Sequence, residues 1–546
     1  MPRSTLTDFL DELASGSGGA PALRYGDAVI SYADLAERGR RVAQGLADLG
    51  VGAGDRVALW LPNAPAWLVL FFACARLKAI IVAVNTRFRA HEVGDIVGRS
   101  GAKVLVMWPG FKGIDFPAIL AEVDAAALSS LRVVIVYGED REDGAGHSER
   151  VAGRPALAYG ALEGAEPYVG DEAAADAGCI VFTTSGTTSR PKFVLHPQRS
   201  HVDHARAVAG ALAMAAGDAA SLLSLPLAGT FGMASALAAL ASGRPAALMP
   251  TFEAGVAAHL VRAYDITHMN GSDEMYLRML EAFPDRHPFP SLRCCGFAAF
   301  GGDPGEVVRR CDARGLTLIG AYGMSEVQAL FALRDPAAPA AERMRGGGNP
   351  VSPGAFVRVR DPETGALLGP GEQGELEIKG PSMMLEYLGN VEATADTLTA
   401  DGYIRTGDLG AMDDARGFTY LSRMGDTLRL GGYLVAPEEI SNFLESHPSV
   451  AGAQVVGVDG QAGGAVRGTQ AVAFVIPAKD TAFSEEDLRG HCAAGLAKFK
   501  VPARIFAVEA FPVTESANGV KVQRGKLRDL AISMIGERQG AAPVAE

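Results

Sequence analysis

Four short segments of this 546-residue chain combine residue types that can do chemistry. In the first, Cys179-Ile180-Val181-Phe182 leads into Thr183-Thr184-Ser185-Gly186-Thr187-Thr188-Ser189-Arg190-Pro191-Lys192. An apolar strand that runs into hydroxyls, a glycine and a closing lysine can wrap N–H groups, O–H groups and one ammonium around a polyphosphate. The GxxxxGKS/T spacing of a Walker A loop cannot be written on it. A Ser/Thr-rich surface turn is the alternative; the buried strand before it and the Pro-Lys that ends it favour phosphate.

The second segment, Gly320-Ala321-Tyr322-Gly323-Met324-Ser325-Glu326, follows the strand-like Leu316-Thr317-Leu318-Ile319. It reads as a strand-end loop, where α/β sheets hold ligands. Tyr322 offers a face for a base, Ser325 a hydroxyl and Glu326 a carboxylate for Mg2+, although a Gly-flanked aromatic turn has the same composition. The third is Asp401-Gly402-Tyr403-Ile404-Arg405-Thr406-Gly407-Asp408-Leu409-Gly410 with Ser422-Arg423-Met424-Gly425-Asp426. An Asp in a tight turn there can accept both hydroxyls of a ribose, and a pair of plain Asp-Gly turns fits equally. The fourth, Asn518-Gly519-Val520-Lys521-Val522-Gln523-Arg524-Gly525-Lys526-Leu527-Arg528, is cationic in an acidic chain. It is either a solvated basic helix face or a turn that presents one Lys to developing negative charge.

The elements that must position these groups alternate. Residues 32–49 carry Leu35, Val42, Leu46 and Leu49 at helical spacing, and 56–61, 80–84, 103–108 and 132–137 are apolar runs of buried-strand length. Pro65 suits the first turn of a helix over 66–78. Strands alternating with helices imply a parallel sheet covered on both faces. Residues 139–153 read as a polar surface excursion, and a second α/β stretch spans about 178–330. Beyond Arg343, short strands such as 356–359 and 375–378 between turns indicate a small β-barrel-like layer. From about Asp426 an α+β unit is expected, with helices at 438–446 and 485–497, strands at 453–458 and 469–476, and a frayed tail after Arg538. The fold expected is α/β: a large N-terminal domain of two α/β subdomains plus that layer, then a small mobile C-terminal domain.

Length alone calls for more than one core. With 50 basic and 63 acidic residues the net charge is −13, which disfavours a sequence-independent nucleic-acid binder. The apolar stretch 67–75 is too short to span a bilayer, and Pro226, Gly229 and Gly232 break the uncharged 219–243 into strand, turn and helix. No signal peptide is apparent. Six cysteines without CxxC spacing fit small buried residues in a reducing compartment, so a cytoplasmic protein is expected.

Taken together, TTSGTTSRPK, AYGMSE, GYIRTGDLG, SRMGDTLRLGGYLVAPEEI and NGVKVQRGKLR resemble, in order and spacing, the adenylate-forming superfamily of acyl-CoA synthetases, adenylation domains and luciferases. The resemblance runs from about Tyr32 to Leu530. It implies activation of a carboxylate with MgATP, pyrophosphate release, and transfer of the acyl group from AMP to a thiol, usually coenzyme A. By similarity, Thr184, Ser185, Gly186, Thr187, Thr188 and Lys192 hold phosphates, and Glu326 holds Mg2+. Gly301, Gly302 and Asp303 with Ala321, Tyr322 and Gly323 flank the adenine, beside Met324 and Ser325, and Asp408 and Arg423 contact the ribose. Lys521 bridges carboxylate and α-phosphate during adenylation. The resemblance also implies a hinge near Gly425 between domains 1–424 and 425–546, whose rotation withdraws Lys521 and brings Leu430-Gly431-Gly432-Tyr433 into the site to shape a thiol tunnel. Such a reaction needs no general base, because the attacking carboxylate is already ionised near neutral pH.

The chain departs from the family pattern in several places. Gly425 stands where Asp or Lys is usual, and a glycine accommodates large φ/ψ changes. Pro226-Leu227-Ala228-Gly229-Thr230-Phe231-Gly232 resembles the family's acyl-pocket segment but carries Gly229 where that has His or an aromatic, which leaves room beside the carbonyl for a bulkier acyl group or leaves Phe231 as the remaining wall. Phe193 replaces a usual Gly, and Asp273 either faces the substrate cavity or, as favoured, sits at an exposed helix N-cap. Thr251-Phe252-Glu253-Ala254 lacks the Asp that pairs an amino-acid amine. The expected substrate is therefore a fatty, alicyclic or aromatic acid, with ATP, Mg2+ and coenzyme A. The alternatives are an adenylation enzyme loading an acyl carrier protein and a catalytically silent nucleotide-binding regulator. Neither nucleic acid nor an integral membrane segment is expected, and a homodimer is left open.

Overall fold

The computed structural model describes residues 5–138, 150–170, 174–184, 191–299, 304–424, 428–430, 433–435, 437–459, 469–496, 500–516 and 519–540. Wholly apolar runs such as Val104–Met107 and Val133–Val136 are buried along their length, so both faces of their sheet must be covered. In space, Gly178–Thr183, Ile80–Ala83, Arg56–Trp60, Val104–Met107, Val133–Val136 and Arg154–Ala158 lie side by side and parallel. Phe193–Pro197 folds back antiparallel on Gly178–Thr183, and Glu386–Tyr387 adds antiparallel outside it.

A second sheet has the parallel core Ala246–Leu248, Ser221–Leu223, His268–Ser272, Cys294–Ala298 and Leu318–Met324. It continues through antiparallel Gln328–Leu333, Gly347–Pro350, Phe418–Arg423, Ile404–Met412, Gln373–Lys379 and Phe356–Arg360. The layer of short strands is thus an arm of this sheet. Helices Gln198–Ala211 and Thr230–Ala241 pack on each other, and one apolar cluster joins Ile81 and Ile180 of the first sheet to Leu222, Cys295 and Leu318 of the second. The uncharged 219–243 is accordingly a strand, a turn and a buried helix. No helix among the described residues is long and apolar enough to cross a membrane.

The C-terminal part has its own small core around Val455, Ala473 and Ile505, on the sheet Val450–Asp459, Thr469–Pro477, Arg504–Ala507. Helices Pro437–Glu445, Glu485–Gly495 and Arg524–Gly540 accompany it. The basic segment is split: Lys521 lies on strand Gly519–Val522 of a hairpin with Val513–Ser516, whereas Lys526 and Arg528 lie on the following helix.

Two expectations are corrected. Gly320 to Met324 is not a strand-end loop, because Leu318–Met324 is one strand whose second half pairs with Gln328–Leu333. Asp408 is not in a turn but inside Ile404–Met412, opposite Arg423 of the neighbouring strand.

Candidate active site

Two hairpins meet at the site. The hydroxyl-rich segment joins Gly178–Thr183 to Phe193–Pro197, and its ends are tied together. Thr184 N–H donates to the Lys192 carbonyl at 3.1 Å, and Lys192 N–H donates to Thr184 Oγ1 at 3.1 Å. The other hairpin is Leu318–Met324 with Gln328–Leu333, and its turn carries Ser325 and Glu326. Gly323 is required there, since a Cβ would lie 2.5 Å from Ala329 Cα. Ser221–Leu223, His268–Ser272, Cys294–Ala298 and Leu318–Met324 are parallel, so the segments that follow them leave along one sheet edge. That edge is where an open α/β sheet forms its ligand crevice.

The segment 384–388 stitches the hairpins. Met384 N–H donates to the Glu326 carbonyl at 2.8 Å, while Leu385 and Leu388 N–H donate to Leu195 and Phe193. The Tyr387 hydroxyl donates to Glu326 Oε1 at 2.7 Å, and Lys192 Nζ lies 4.5 Å from the Tyr387 ring centroid. Lys192 and Glu326 are therefore brought to one residue from segments far apart in the chain. The side chain of Phe193 is turned into the core, with the Arg99 guanidinium 4.2 Å from its ring centroid.

A second group lies on the adjoining arm. Tyr322 donates its hydroxyl to Asp408 Oδ2 at 2.6 Å, and Arg423 Nη1 donates to Asp408 Oδ1 at 2.9 Å. Gly407, at φ +66°, allows the bend before Asp408. Burial holds the Asp408 carboxyl above its ordinary value, against the opposing pull of Arg423 and the Tyr322 hydrogen bond. Tyr322 packs edge-on against Phe418 and is only 6% exposed, so little of its ring is left for a base. Burial also raises the Tyr420 hydroxyl, and the charges acting on it include Asp408, Glu438 and Arg524. Arg524, at the start of the last helix and three residues beyond Lys521, is thus close enough for its charge to act on Tyr420.

The model of the AMP-binding enzyme family matches residues 10–388, and that of the AMP-binding enzyme C-terminal domain matches 439–518. The chain belongs to the AMP-binding enzyme family. It is 32% identical over 534 residues, 96% of this chain and 99% of the relative, to 3-[(3aS,4S,7aS)-7a-methyl-1,5-dioxo-octahydro-1H-inden-4-yl]propanoyl:CoA ligase of Mycobacterium tuberculosis (strain ATCC 25618 / H37Rv). It is 31% identical to a feruloyl-CoA synthase of Amycolatopsis sp, with 93% of this chain and 95% of that one covered. Among solved structures, ATP-bound MatB from Rhodopseudomonas palustris superposes with a TM-score of 0.82 at 26% identity, covering 97% of this chain and 99% of that one.

The donor set fits the divalent ion that this AMP-binding enzyme is expected to use with its nucleotide. Glu326 is a buried carboxylate with Oε1 held by Tyr387, and a hard cation prefers such oxygen ligands. Among the described residues no group of three or more His, Cys, Asp or Glu could hold a metal alone.

Gly229 is the buried N-cap of helix Thr230–Ala241, and Phe231, in its first turn, is 4% exposed. Ser224, just before this segment, is buried, and its hydroxyl has no hydrogen-bond partner among the described residues. Asp273 is not an exposed N-cap: Ser272 caps that helix and Asp273, its first residue, is buried. Ser185, Gly186, Thr187, Thr188, Gly301, Gly302, Asp303, Gly425 and Gly432 lie outside the described residues.

Two features had no local signal. One is Tyr387. The other is a cluster of fully buried imidazoles, His196, His201 and His204, behind the Glu326 turn. His196 Nε2 donates to the Ser325 carbonyl and His204 Nε2 to the Ala329 carbonyl, both at 2.7 Å. Between and beside these anchors, Gln328 and Leu330 adopt φ of +65° and +62°. Non-glycine residues in that region cost on the order of 1–3 kcal/mol each and persist only where neighbours hold them.

Proposed function

We propose that the protein is an AMP-forming acid–CoA ligase. It activates a carboxylic acid with ATP as an acyl adenylate, releases pyrophosphate, and passes the acyl group to coenzyme A. The observation that carries this reading is the convergence of Lys192 and Glu326 on Tyr387, next to the Tyr322–Asp408–Arg423 group. One end of this site offers a cation for phosphates and a carboxylate for Mg2+. The other offers a carboxylate that can accept ribose hydroxyls. Mg2+, when bound, would neutralise charge on the phosphates.

Attack of one anion on another needs positive charge where negative charge develops, and Lys192 and Lys521 are the residues assigned to that task. Thr184 has its Oγ1 accepting from the Lys192 N–H and keeps its own proton for a phosphate oxygen. Gly425 is assigned to the hinge, and Leu430 to Tyr433, including Gly432, to the thiol tunnel. Gly301, Gly302 and Asp303 are assigned to the adenine.

The acid we propose is ring-bearing, alicyclic or aromatic. Gly229 puts no side chain at the start of its helix, and the relatives above are named for acyl or feruloyl groups that carry rings. A pyrophosphate-release assay over fatty, alicyclic and aromatic acids, with and without coenzyme A, tests this. Release that needs a ring acid, with thioester formed only when coenzyme A is added, is expected. A thiol requirement met only by a carrier protein would reverse the acceptor, and nucleotide binding without turnover on any acid would make the protein a regulator.

A further inference from the structure

Tyr387 touches two of the charged groups on which the proposed function depends, yet nothing so far gives it a role. Its backbone is fixed on both sides. Residue 387 pairs with Val194 at the sheet edge, its N–H donates to Thr394 Oγ1 at 3.0 Å, and its carbonyl accepts from Asn390 N–H at 2.9 Å. The side chain is 4% exposed, so its position is set by packing. Its hydroxyl meets Glu326 at 2.7 Å, and its ring lies under the Lys192 ammonium at 4.5 Å.

An ammonium over the face of one ring and a carboxylate at its hydroxyl, partly withdrawn from water, attract each other strongly. If they closed into an ion pair, each would neutralise the charge the other is meant to offer a ligand. Among the described residues Lys192 and Glu326 form no such pair. The aromatic face satisfies the cation and the hydroxyl satisfies the anion, two interactions that use the two chemically distinct parts of a tyrosine.

We propose that Tyr387 is a positioning residue that partitions Lys192 from Glu326, reserving the ammonium for nucleotide phosphates and the carboxylate for the divalent ion. This rests on the nucleotide-site reading given under the proposed function. Phenylalanine would keep the partition and lose only the hydrogen bond to Glu326. Leucine would lose both contacts and let Lys192 swing onto Glu326.

Calorimetric titration of the full-length protein with ATP, first in EDTA and then at increasing Mg2+, reads the two roles separately. For Tyr387→Phe, ATP binding in EDTA is expected within about twofold of wild type. The Mg2+ needed for half-maximal tightening should rise roughly tenfold, the effect of losing one hydrogen bond to a charged group. For Tyr387→Leu, binding in EDTA should itself weaken, and adding Glu326→Gln should restore it by removing the anion that captures Lys192. A wild-type Mg2+ profile in Tyr387→Phe overturns the proposal, as does failure of Glu326→Gln to restore metal-free binding in a folded Tyr387→Leu protein. Should the leucine variant not fold, the phenylalanine profile decides. If the wild-type protein binds no ATP with or without Mg2+, the nucleotide-site reading fails instead.

Discussion

The turn that carries Glu326 and the strand that carries Lys521 both belong to hairpins, but they are held in opposite ways. The Glu326 hairpin is interior to a 13-stranded sheet, and its turn is gripped by His196 from one segment and by Met384 and Tyr387 from another. The Lys521 hairpin is a two-stranded sheet of its own, with Thr514 opposite Lys521. An isolated ribbon is marginal without support, whereas a strand flanked on both sides shares the stability of the whole sheet. The difference fits a division of labour. Under the proposed function, the groups assigned to a polyphosphate are built into the body, and the cation assigned to one half-reaction is carried on a hairpin outside both large sheets.

The sharpest way to break this comparison is Lys521→Ala. If Lys521 serves adenylation alone, the variant should lose acid-dependent pyrophosphate release by roughly a hundredfold or more, the scale of removing one preorganised charge from a reacting centre. Thioester formation from supplied acyl-AMP should remain near wild type. Equal loss in both half-reactions would mean that the ribbon is a fixed part of the site like the Glu326 turn.

A smaller effect separates function from stability inside the body. Asp408 has a folded-state pKa above its ordinary value, chiefly through burial, so the folded protein binds its proton more readily than the unfolded chain does. By linkage, ionised Asp408 opposes folding at neutral pH, and that cost disappears as the pH falls through the raised value. Asp408→Asn should therefore leave the melting temperature unchanged or raise it. ATP binding should weaken roughly tenfold, because a neutral amide accepts ribose hydroxyls less strongly than a carboxylate. In the wild type, ATP binding should weaken on acidification at a higher pH than an ordinary aspartate would dictate. A melting temperature that falls in step with affinity would make Asp408 a structural residue.

Strands whose interiors are apolar were legible from the chain alone, because burial on both faces leaves an uninterrupted signal: 80–84 and 103–108 became Ile80–Ala83 and Val104–Met107. The five motifs likewise pointed to the family. What escaped was set by partners distant in sequence. Glycines at 320 and 323 read as a loop, yet Gly320 pairs with Phe297 and Gly323 lies in the half of the strand facing Gln328–Leu333, both where close backbone approach excludes side chains. Asp408 read as a turn residue because Gly407 precedes it, while its opposition to Arg423 exists only once the two strands pair. Tyr387 sits in the unremarkable Leu385-Glu386-Tyr387-Leu388, and only the sheet edge brings it to Glu326 and Lys192.

An expectation that shows only on acidification concerns how the Glu326 turn is gripped. A carbonyl can only accept, so His196 and His204 must each carry a proton on Nε2, which leaves each Nδ1 unprotonated and buried without a partner among the described residues. Burial pushes both pKa values down to about 4, against the opposing backbone hydrogen bonds, and drives His201 lower than its ordinary value as well. Between about pH 6.5, where a free imidazole titrates, and pH 4, the unfolded chain binds more protons than the folded one, so stability must fall as the pH falls. The loss is on the order of a few kcal/mol per imidazole across that window. His196→Gln tests the assignment, since the Gln amide can still donate to the Ser325 carbonyl but does not titrate. Its melting temperature should match wild type near pH 7.5 and decline less steeply towards pH 4.5. An unchanged acid slope would mean that His196 is not held neutral. A drop at pH 7.5 would mean that imidazole packing, rather than the bond to Ser325, is what steadies the turn that the Lys521 ribbon lacks.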